Sequence, residues 1–480
     1  MEDQLYTPAI GLEIHAQLLT QSKIFCNCKV DFGGEANTRC CPVCLGFPGT
    51  LPVLNKEVVR LAIKAAIALG CTINTDTKMD RKNYFYPDLP KAYQISQLDL
   101  PIGVDGKVKI DLGEKEKYIK IKRIHIEEDA GKLIHDATED TSLVDYNRCG
   151  VPLIEIVTDP DITSKEEAKL FIEKVSGLLQ YANVSDCKME EGSLRVDVNV
   201  SLKKEGQDEL GTKVELKNLN SLKSIVRAID YEIKRQSKLL RLGETIKKET
   251  RRFNDHSGDT SPLRDKEYAH DYRYFKEPDI VPLKLTKENI DSIKNTLPVL
   301  IDERIDTYVN QFKISKEDAQ NITYRKELSD FYNEAVKAYP NYKSVANFMI
   351  VELYRYINEG YLSSQNIPFS PEDFALLVKM TDEEIIGRNN AKEVLKMMIE
   401  KSQSPMTLAK EHNFIISNDL NEVEEVVKKV LEEHKEEVEA YLNGKTKLFT
   451  FFMGQCSKIL KGNASPKIIR EMLEKNLITK

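Results

Sequence analysis

Residues 195–202, RVDVNVSL, alternate strictly between polar and apolar side chains, and this pattern constrains the fold more than any other feature. Successive side chains of a strand point to opposite faces, so the valines and Leu202 share one face while Arg195 and Asp197 share the other. Residues 213–217, KVELK, repeat the pattern. A sheet with one polar face is typical of antiparallel strands. We therefore expect an α+β fold rather than a doubly wound sheet.

Helical periodicity occurs in a few segments of the first 290 residues, and it extends over almost all of the chain after about residue 295. Asn55 is predicted to begin the first helix, which Gly70 ends as the residue just past its last turn. A second helix is predicted behind Thr163 and Glu166, which have the spacing of a capping box. A third is predicted over residues 221–240. We therefore divide the chain into an antiparallel-sheet domain (1–293), an all-helical domain (294–405) and a small helical tail domain (406–480).

The composition is that of an ordinary globular protein. Of the 480 residues, 41% are hydrophobic and 31% are charged, and no apolar run approaches the length of a membrane helix. The first residues, MEDQ, do not resemble a secretory or transit peptide. We expect a cytoplasmic protein that does not enter a membrane.

Charge is distributed unevenly along the chain. The net charge of −7 disfavours a nucleic-acid partner, yet residues 441–480 carry eight cations and two acids. The cations are Lys445, Lys447, Lys458, Lys461, Lys467, Arg470, Lys475 and Lys480. A basic end on an acidic protein indicates either a module that contacts phosphates or a solvated helix face.

Five of the nine cysteines fall close together, which suggests metal binding in a cytoplasmic protein. Two thiol pairs, Cys26 with Cys28 and Cys41 with Cys44, could close a tetrahedral Zn²⁺ site, and Cys40 could replace Cys41. Four thiolates leave no open coordination position. We therefore predict a structural site rather than a catalytic one.

Carboxylates recur within segments that read as strands. Glu13 and His15 share one strand face and could ligate a divalent metal, or could simply be exposed. Glu155 is a lone carboxylate in an apolar strand, which is costly unless it is paired or binds a metal. Alternation puts Glu127 beside His125 and leaves Glu128 on the apolar side, without deciding which glutamate faces a site. Oxygen-rich clusters of this kind favour Mg²⁺.

A nucleotide, if one is used, must be held without a P-loop. Gly444 begins a GKT triplet, but the glycine required five residues earlier is replaced by Glu439. The loop around residues 80–94 is rich in cations and aromatic residues. It could stack on a base and hold phosphates, or it could be packed on its own domain.

These same segments resemble the GatB family, the B subunits of the glutamyl/aspartyl-tRNA amidotransferases, over essentially the whole chain. The matching stretches are Gly11–Leu18, Ser22–Phe25, the cysteine loop up to Pro52, Asp80–Ser96, Ile126–Gly131, Ser142–Val157, Asp186–Asn199, Gly211–Ser221 and Asp271–Asp279. The resemblance implies that the sheet domain is a cradle related in fold to glutamine synthetase. It implies that ATP phosphorylates the side chain of a misacylated amino acid, and that ammonia from a partner amidase then forms the amide.

The resemblance also implies roles for particular residues. The expected catalytic residues are Glu13, His15, Glu155 and Arg195. The expected Mg²⁺ ligands are Glu13, His15, Glu128 and Glu155, with Glu190, Glu191 and Glu215 in a second shell or at a second metal. The expected ATP-binding residues are Arg81, Lys82, Tyr84 and Lys213. Zn²⁺ is expected on Cys26, Cys28, Cys41 and Cys44.

The expected partners are the amidase (glutaminase) subunit and the small third subunit of a heterotrimer, together with misacylated tRNA bound by the helical and tail domains. Two other hypotheses remain open at this stage. One is a tRNA-binding scaffold with a structural zinc and no catalysis. The other is a stand-alone ligase that uses free glutamate and needs no tRNA.

Overall fold

A computed structural model describes residues 6–113, 115–135, 141–207, 209–265, 272–416, 420–460 and 464–478. The chain divides into two compact units, the first ending at Ile301 and the second beginning at Asp302. Lys461 and Lys480 of the basic C-terminal stretch lie outside the described residues.

The first unit contains all of the described strands and four helices that precede residue 301. The strands are β1 (Tyr6–Gln17), β2 (Thr72–Ile73), β3 (Asp76–Thr77), β4 (Asp80–Asn83), β5 (Tyr93–Ser96), β6 (Gly103–Asp111), β7 (Glu116–Glu128), β8 (Lys132–His135), β9 (Ser142–Asp145), β10 (Pro152–Thr158), β11 (Leu194–Lys204), β12 (Val214–Lys217), β13 (Glu249–Asn254), β14 (Asp259–Asp265), β15 (Phe275–Lys276) and β16 (Leu283–Lys284). The helices are α1 (Lys56–Ala68), α2 (Lys165–Tyr181), α3 (Leu222–Arg241) and α4 (Lys287–Lys294).

Nine strands form the main sheet, in the order β14-β13-β12-β11-β1-β10-β7-β6-β2. Neighbouring strands run antiparallel except β12 and β13, which run parallel. In the smaller sheets, β4 pairs with β5 and β15, β3 pairs with β16, and β8 pairs with β9. Together with the helices, this mixed sheet confirms the predicted α+β class. The likeness of the sheet domain to glutamine synthetase stays a prediction.

One face of the main sheet is the core. On β1 the alternate residues Ile10, Leu12, Ile14 and Ala16 are buried, and they join apolar side chains of α1, α2 and α3 in a single cluster. Burying each large aliphatic side chain contributes about 1.5–3 kcal/mol. Truncating Ile14 to alanine would leave a cavity and cost about 2–5 kcal/mol. Polar side chains at the intervening positions are therefore directed to the opposite face.

Helix ends in this unit follow the predicted capping residues with one exception. The Asn55 side chain accepts the Glu57 N–H at 2.9 Å and begins α1, and Gly70 follows its end with a φ of +69°. Helix α2 begins one residue later than predicted, because Ser164 rather than Thr163 accepts the backbone N–H of Glu167. Both positions have a hydroxyl with a glutamate three residues on, so the sequence alone does not choose between them.

The described residues of the second unit form helices joined by loops, with one isolated β-bridge between Ile386 and Ile415. Its helices are α5 (Ile301–Asn310), α6 (Lys316–Thr323), α7 (Lys326–Ala338), α8 (Tyr342–Phe348), α9 (Tyr354–Asn358), α10 (Pro371–Asp382), α11 (Arg388–Lys401), α12 (Pro405–Glu411), α13 (Leu420–Glu433), α14 (Lys435–Leu442), α15 (Leu448–Ile459) and α16 (Pro466–Ile478), with a π-helical turn at Met349–Leu353 between α8 and α9.

Two hydrophobic clusters stabilise this unit, one built by residues of α5 to α12 and the other by residues of α13 to α16. The second cluster includes Val423, Val427 and Val430, which the sequence placed on one helical stripe. No described helix has both the length and the apolar composition needed to cross a membrane. The domain limits at 293/294 and 405/406 stay a prediction.

Candidate active site

The polar face of the main sheet brings together side chains from neighbouring strands. On β1, His15 lies opposite Glu155 of β10 and opposite Arg195 of β11. On the far side of β10, Glu155 lies opposite His125 of β7. Directly opposed residues of antiparallel strands have Cβ atoms about 4.5–5.5 Å apart, so these four side chains form one row across the sheet.

His15, Glu127 and Glu155 form the first group that could hold a metal ion, with one ligand atom of each lying within 4.8 Å of the others. The Nε2 atom of His15 lies 3.4 Å from Glu127 Oε1 and 3.5 Å from Glu155 Oε2. His125 adjoins the group, with its Nε2 atom 2.9 Å from Glu155 Oε2. Two carboxylates and an imidazole are a donor set that suits a divalent cation.

The protonation of this group reflects burial opposed by ion pairing. Burial would lower the pKa of His125, but the neighbouring Glu155 and Glu127 raise it to about 9. Burial would likewise raise the pKa of Glu155, but His125 and His15 hold it well below the usual value. The two carboxylates thus favour protonation of the neighbouring imidazoles in the protein alone, and a cation bound by His15 would displace a proton from its ring.

Glu13, Asp197 and Glu215 form a second group of the same kind on β1, β11 and β12, again with ligand atoms within 4.8 Å of one another. Asn199 Nδ2 donates a hydrogen bond to Glu13 Oε1 at 2.9 Å, and Lys217 Nζ lies 2.9 Å from Glu215 Oε1. Glu13 and His15 are two residues apart on β1, so the two groups lie side by side on the same face. Three carboxylates with one ammonium leave a net negative site that suits a cation.

Two guanidinium groups lie beside these acids. The Oδ2 atom of Asp129, which is buried, forms ion pairs with Arg195 Nη2 at 2.9 Å and with Arg148 Nε at 3.0 Å. Since Arg195 pairs in register with His15, its guanidinium belongs to the same row of side chains. The face therefore contains both cation-binding and anion-binding groups.

The four expected cysteines converge in the loop that follows β1, with all sulfur atoms within 4.8 Å of one another: Cys26, Cys28, Cys41 and Cys44. The backbone N–H of Cys41 donates to Cys44 Sγ at 3.1 Å, and Lys23 Nζ lies 3.6 Å from the same sulfur. These donors stabilise a thiolate, the form that binds metal. Cys40 is not in the cluster, since its thiol is directed at Asn147 Oδ1, 3.8 Å away. Four sulfurs at this spacing fit the tetrahedral chemistry of zinc.

Comparison with known proteins decides the family. A family model of the GatB/GatE catalytic domain matches residues 8–291, and a model of the GatB domain matches residues 330–477. The B subunit of the aspartyl/glutamyl-tRNA(Asn/Gln) amidotransferase of Ruminiclostridium cellulolyticum is 54% identical over 472 residues, covering 98% of this chain and 97% of that protein. The chain belongs to the GatB family. Proteins of the same name from Caldanaerobacter subterraneus and Caldicellulosiruptor bescii are 50% and 48% identical, each covering 98% of this chain and 99% of the relative.

Membership of the GatB family confirms the resemblance drawn from the sequence and the expectation of an amidotransferase enzyme subunit. It also gives a frame for locating the predicted site residues. Glu13, His15, Glu155, Arg195 and Glu215 all lie on the polar face, although Glu13 and His15 belong to different metal-capable groups.

Glu128, an expected metal ligand, is directed away from this face. Strands β7 and β10 stay in register through Leu153–Glu127 and Pro152–Glu128, without the bulge that would turn Glu128 inward. Its carboxylate instead pairs with Lys91 Nζ at 2.5 Å and accepts the Ile95 N–H at 2.8 Å. The residue beside His15 and Glu155 is Glu127, as alternation along the strand indicated.

Glu190 and Glu191 also lie outside both carboxylate groups. They occupy the tight turn that precedes β11, where Glu190 is exposed and Glu191 Oε1 pairs with Lys188 Nζ at 2.8 Å. The turn reverses the chain before the sheet begins, so neither side chain reaches the row of His15 and Arg195. Lys213, an expected ATP ligand, is exposed immediately before β12.

Arg81 of β4 forms an ion pair at the wall of a cavity that Lys91 and Tyr93 also line. Its guanidinium forms a two-point contact with the fully buried Glu277, at 2.6 and 2.8 Å, and covers the ring of Tyr93 at 4.3 Å. Such a paired guanidinium has fewer donors left for a nucleotide, and the expected role of Arg81 in ATP binding stays a prediction.

Lys82 and Tyr84, the other expected ATP ligands of this loop, form an aromatic group with Tyr272. The Lys82 ammonium lies 5.0 Å from the centre of the Tyr272 ring and 5.6 Å from that of Tyr84. The two rings meet edge to face at 5.8 Å. An ammonium over two aromatic rings is the kind of surface that holds a base and a phosphate.

The residues of the site that had no assigned role in the sequence-based prediction include His125, Glu127, Asp129, Asp197 and Tyr274. Strand alternation was a sufficient signal for His125 and Asp197, which share faces with Glu127 and Glu13. Tyr274 could be identified only from the structure. Burial and the nearby Glu127 and Glu155 raise the pKa of its hydroxyl. No local pattern marks a residue that reaches the site from so distant a part of the chain.

Proposed function

We propose that this chain uses ATP to activate the side-chain carboxylate of glutamate or aspartate wrongly attached to tRNA, so that ammonia can convert it to the amide. The observation that carries the proposal is the pair of metal-capable groups on one sheet face: His15 with Glu127 and Glu155, and Glu13 with Asp197 and Glu215. The printed names of the relatives, amidotransferases for aspartyl- and glutamyl-tRNA, supply the substrate class.

Activation is required because a carboxylate has no good leaving group. In the proposed first step a carboxylate oxygen of the substrate bonds to the γ-phosphorus of ATP, the bond from that phosphorus to the bridging oxygen breaks, and ADP leaves. In the second step the ammonia nitrogen bonds to the acyl carbon, the carbon–oxygen bond to phosphate breaks, and a proton is released with the amide. Both steps move negative charge among phosphoryl oxygens.

Residues of the polar face match the charges that this chemistry presents. The two metal-capable groups would hold Mg²⁺, which neutralises the charge of the phosphoryl group when it is bound. Arg195 would contribute a planar guanidinium that matches phosphoryl oxygens with paired N–H donors. Lys82 and Tyr84 are the proposed contacts for ATP, together with Lys213 if the loop before β12 folds over the nucleotide.

The four-cysteine cluster is proposed to bind one structural zinc ion. Cys26 and Cys28 lie in the first part of the loop after β1, and Cys41 and Cys44 lie further along the same loop. A zinc ion would therefore join two stretches of irregular chain. Loops of this length rarely hold a unique conformation without such a link.

Partners follow from the same proposal. Ammonia would come from a glutamine-hydrolysing amidase subunit, with a small third subunit completing a cytoplasmic heterotrimer, because relatives are named as one subunit of a larger enzyme. The tail domain, proposed at residues 406–480, would contact tRNA through its basic residues. The cradle domain proposed for residues 1–293 would contain the active site. The helical domain proposed for residues 294–405 would make further contacts with tRNA.

The test is a matched pair of amide substitutions in the co-expressed complex. Glu155→Gln removes a ligand of the first group and should reduce tRNA-dependent ATP hydrolysis and amide formation by at least about 100-fold. Glu190→Gln makes the same chemical change in the exposed turn before β11 and should leave both activities near those of the unmodified enzyme.

The two other hypotheses give different outcomes in the same assay. A tRNA-binding scaffold would tolerate Glu155→Gln without loss of ATP hydrolysis, and that result would refute the proposal. A stand-alone ligase would turn over free glutamate without tRNA. Assaying glutamyl-tRNA(Gln) and aspartyl-tRNA(Asn) separately identifies which product, or both, the enzyme forms.

A further inference from the structure

A single buried carboxylate holds two guanidinium groups at the border of the polar face. Asp129 is 5% exposed in its side chain, whereas its partners Arg148 and Arg195 are 38% and 37% exposed. Its second oxygen, Oδ1, accepts the backbone N–H of Ala130 at 2.9 Å, which fixes the orientation of the carboxylate. The carboxylate is therefore hidden behind two cations whose outer edges face solvent.

Apart from their shared ion pair with Asp129, the two arginines differ in their hydrogen-bond partners. Arg148 also donates to the carbonyl oxygens of Ala130 at 3.3 Å and Gly131 at 3.4 Å. For Arg195, the buried Nε and Nη2 atoms both lack a hydrogen-bond acceptor of suitable geometry among the described residues, although Nη2 lies 2.9 Å from Asp129 Oδ2. An unsatisfied buried N–H of a guanidinium costs free energy, and an acceptor supplied by a ligand would remove that cost.

Arg195 also stands between the two metal-capable groups. Arg195 lies opposite His15 of the first group, and Asp197 of the second group follows two residues later on the same strand. An anion that bridges cations bound at the two groups would therefore lie within reach of this guanidinium.

We propose that Asp129 is a positioning residue that holds Arg148 and Arg195 side by side, so that their outward N–H groups bind the oxygens of the phosphoryl group being transferred. The inference rests on the proposed function and deepens it. Two like-charged guanidinium groups repel one another unless a carboxylate lies between them. Once fixed, they offer paired N–H donors that match the geometry of phosphoryl oxygens without reorganisation during the reaction.

The test compares Asp129→Asn with Asp230→Asn in the co-expressed complex. Asp230 of α3 is a matched control, since its carboxylate also pairs with two cations, Lys165 and Lys234, each at 2.6 Å, but lies in the helical layer. Asp129→Asn should lower kcat for tRNA-dependent ATP hydrolysis about 100-fold while KM for tRNA stays within about threefold, because displaced donors weaken the transition state more than substrate binding. Asp230→Asn should leave kcat unchanged.

A cycle with the arginines separates positioning from a general structural role. Adding Asp129→Asn to an Arg148→Ala/Arg195→Ala variant should cost no further loss of kcat beyond about twofold, because the carboxylate acts through the groups already removed. Multiplicative losses, or equal activity of Asp129→Asn and Asp230→Asn, would overturn the inference. If Asp129→Asn does not fold, as judged by its melting curve, the double-arginine variant decides, and a wild-type kcat in that variant refutes the proposal.

Glu155→Gln, measured alongside, distinguishes failure of this inference from failure of the proposed function. Loss of activity in Glu155→Gln with normal activity in Asp129→Asn would refute only the positioning role of Asp129. Full activity in Glu155→Gln removes the phosphoryl-transfer function and the positioning role with it.

Discussion

Two adjacent glutamates on β7 should differ in their effect on stabilisation by Mg²⁺ when each is changed to glutamine. Glu127 faces His15 and Glu155 in the first metal-capable group, whereas Glu128 forms an ion pair with Lys91 on the other side of the strand. We expect Glu127→Gln to remove the stabilisation contributed by Mg²⁺ at the first group and Glu128→Gln to retain it. The two substitutions are chemically identical and one residue apart, so each is the control for the other.

The expected magnitudes follow from burial and from mass action. Lys91 and Glu128 are 12% and 4% exposed in their side chains, so breaking their ion pair leaves a buried ammonium unpaired. We expect Glu128→Gln to lower the free energy of unfolding by about 3 kcal/mol. Mg²⁺ at 100 times its dissociation constant stabilises the protein that binds it by about 2.7 kcal/mol, which is a rise in melting temperature of about 5 °C for a unit of this size.

The assay is thermal unfolding with and without Mg²⁺ for both variants and the unmodified chain. Glu128→Gln should melt at a lower temperature and keep the full upward shift when Mg²⁺ is added. Glu127→Gln should show a smaller shift, because only the second group can then bind Mg²⁺. A Mg²⁺-dependent shift that disappears in Glu128→Gln and persists in Glu127→Gln would refute the assignment of the metal group and restore the sequence-based expectation.

Further predictions concern the cysteines, a buried ion pair and the tail. Elemental analysis should find one zinc per chain in the unmodified protein and in Cys40→Ser, and Cys44→Ser should lose it. Equal zinc contents in the two variants would contradict the four-sulfur site. Glu277→Gln, which leaves Arg81 only its longer contact with Asp279 at 3.3 Å, should lower the free energy of unfolding by about 3 kcal/mol in chemical denaturation. An unchanged stability would mean that the buried pair with Glu277 does not stabilise the fold. Removing residues 420–480 should weaken tRNA binding and flatten its dependence on salt concentration; unchanged affinity would show that the tail is not a tRNA contact.

The sequence predicted those parts of the fold that have a local signature. Alternation over residues 195–202 correctly gave β11, its faces and the polar side of the sheet. Asn55 and Gly70 correctly limited the first helix, because capping depends on residues within one turn. The order of the nine strands had no local signal, since it depends on pairings between residues as distant as Ala9 and Ser201.

For the candidate site, alternation was more informative than the residues suggested by the family resemblance. It put Glu127 beside His125, and the register of β7 with β10 shows that arrangement. The resemblance favoured Glu128 and the turn acids Glu190 and Glu191, which are near the site in sequence but not on its face. The ion pair of Arg81 could not be predicted, because its partner, Glu277, is 196 residues away in the chain.

Strand register ties the geometry of the site to the stability of the core. On β1, Leu12, Ile14 and Ala16 are buried while Glu13 and His15 between them face the acids of neighbouring strands. A slip of one residue would bury two ionisable groups and expose three apolar ones, at a cost of several kcal/mol. The apolar residues therefore fix the positions of the polar ones, and both metal-capable groups are assembled by the same pairing that forms the core. It follows that core substitutions such as Ile14→Val, which keep the register, should reduce stability by about 0.5–1.5 kcal/mol while leaving metal affinity unchanged.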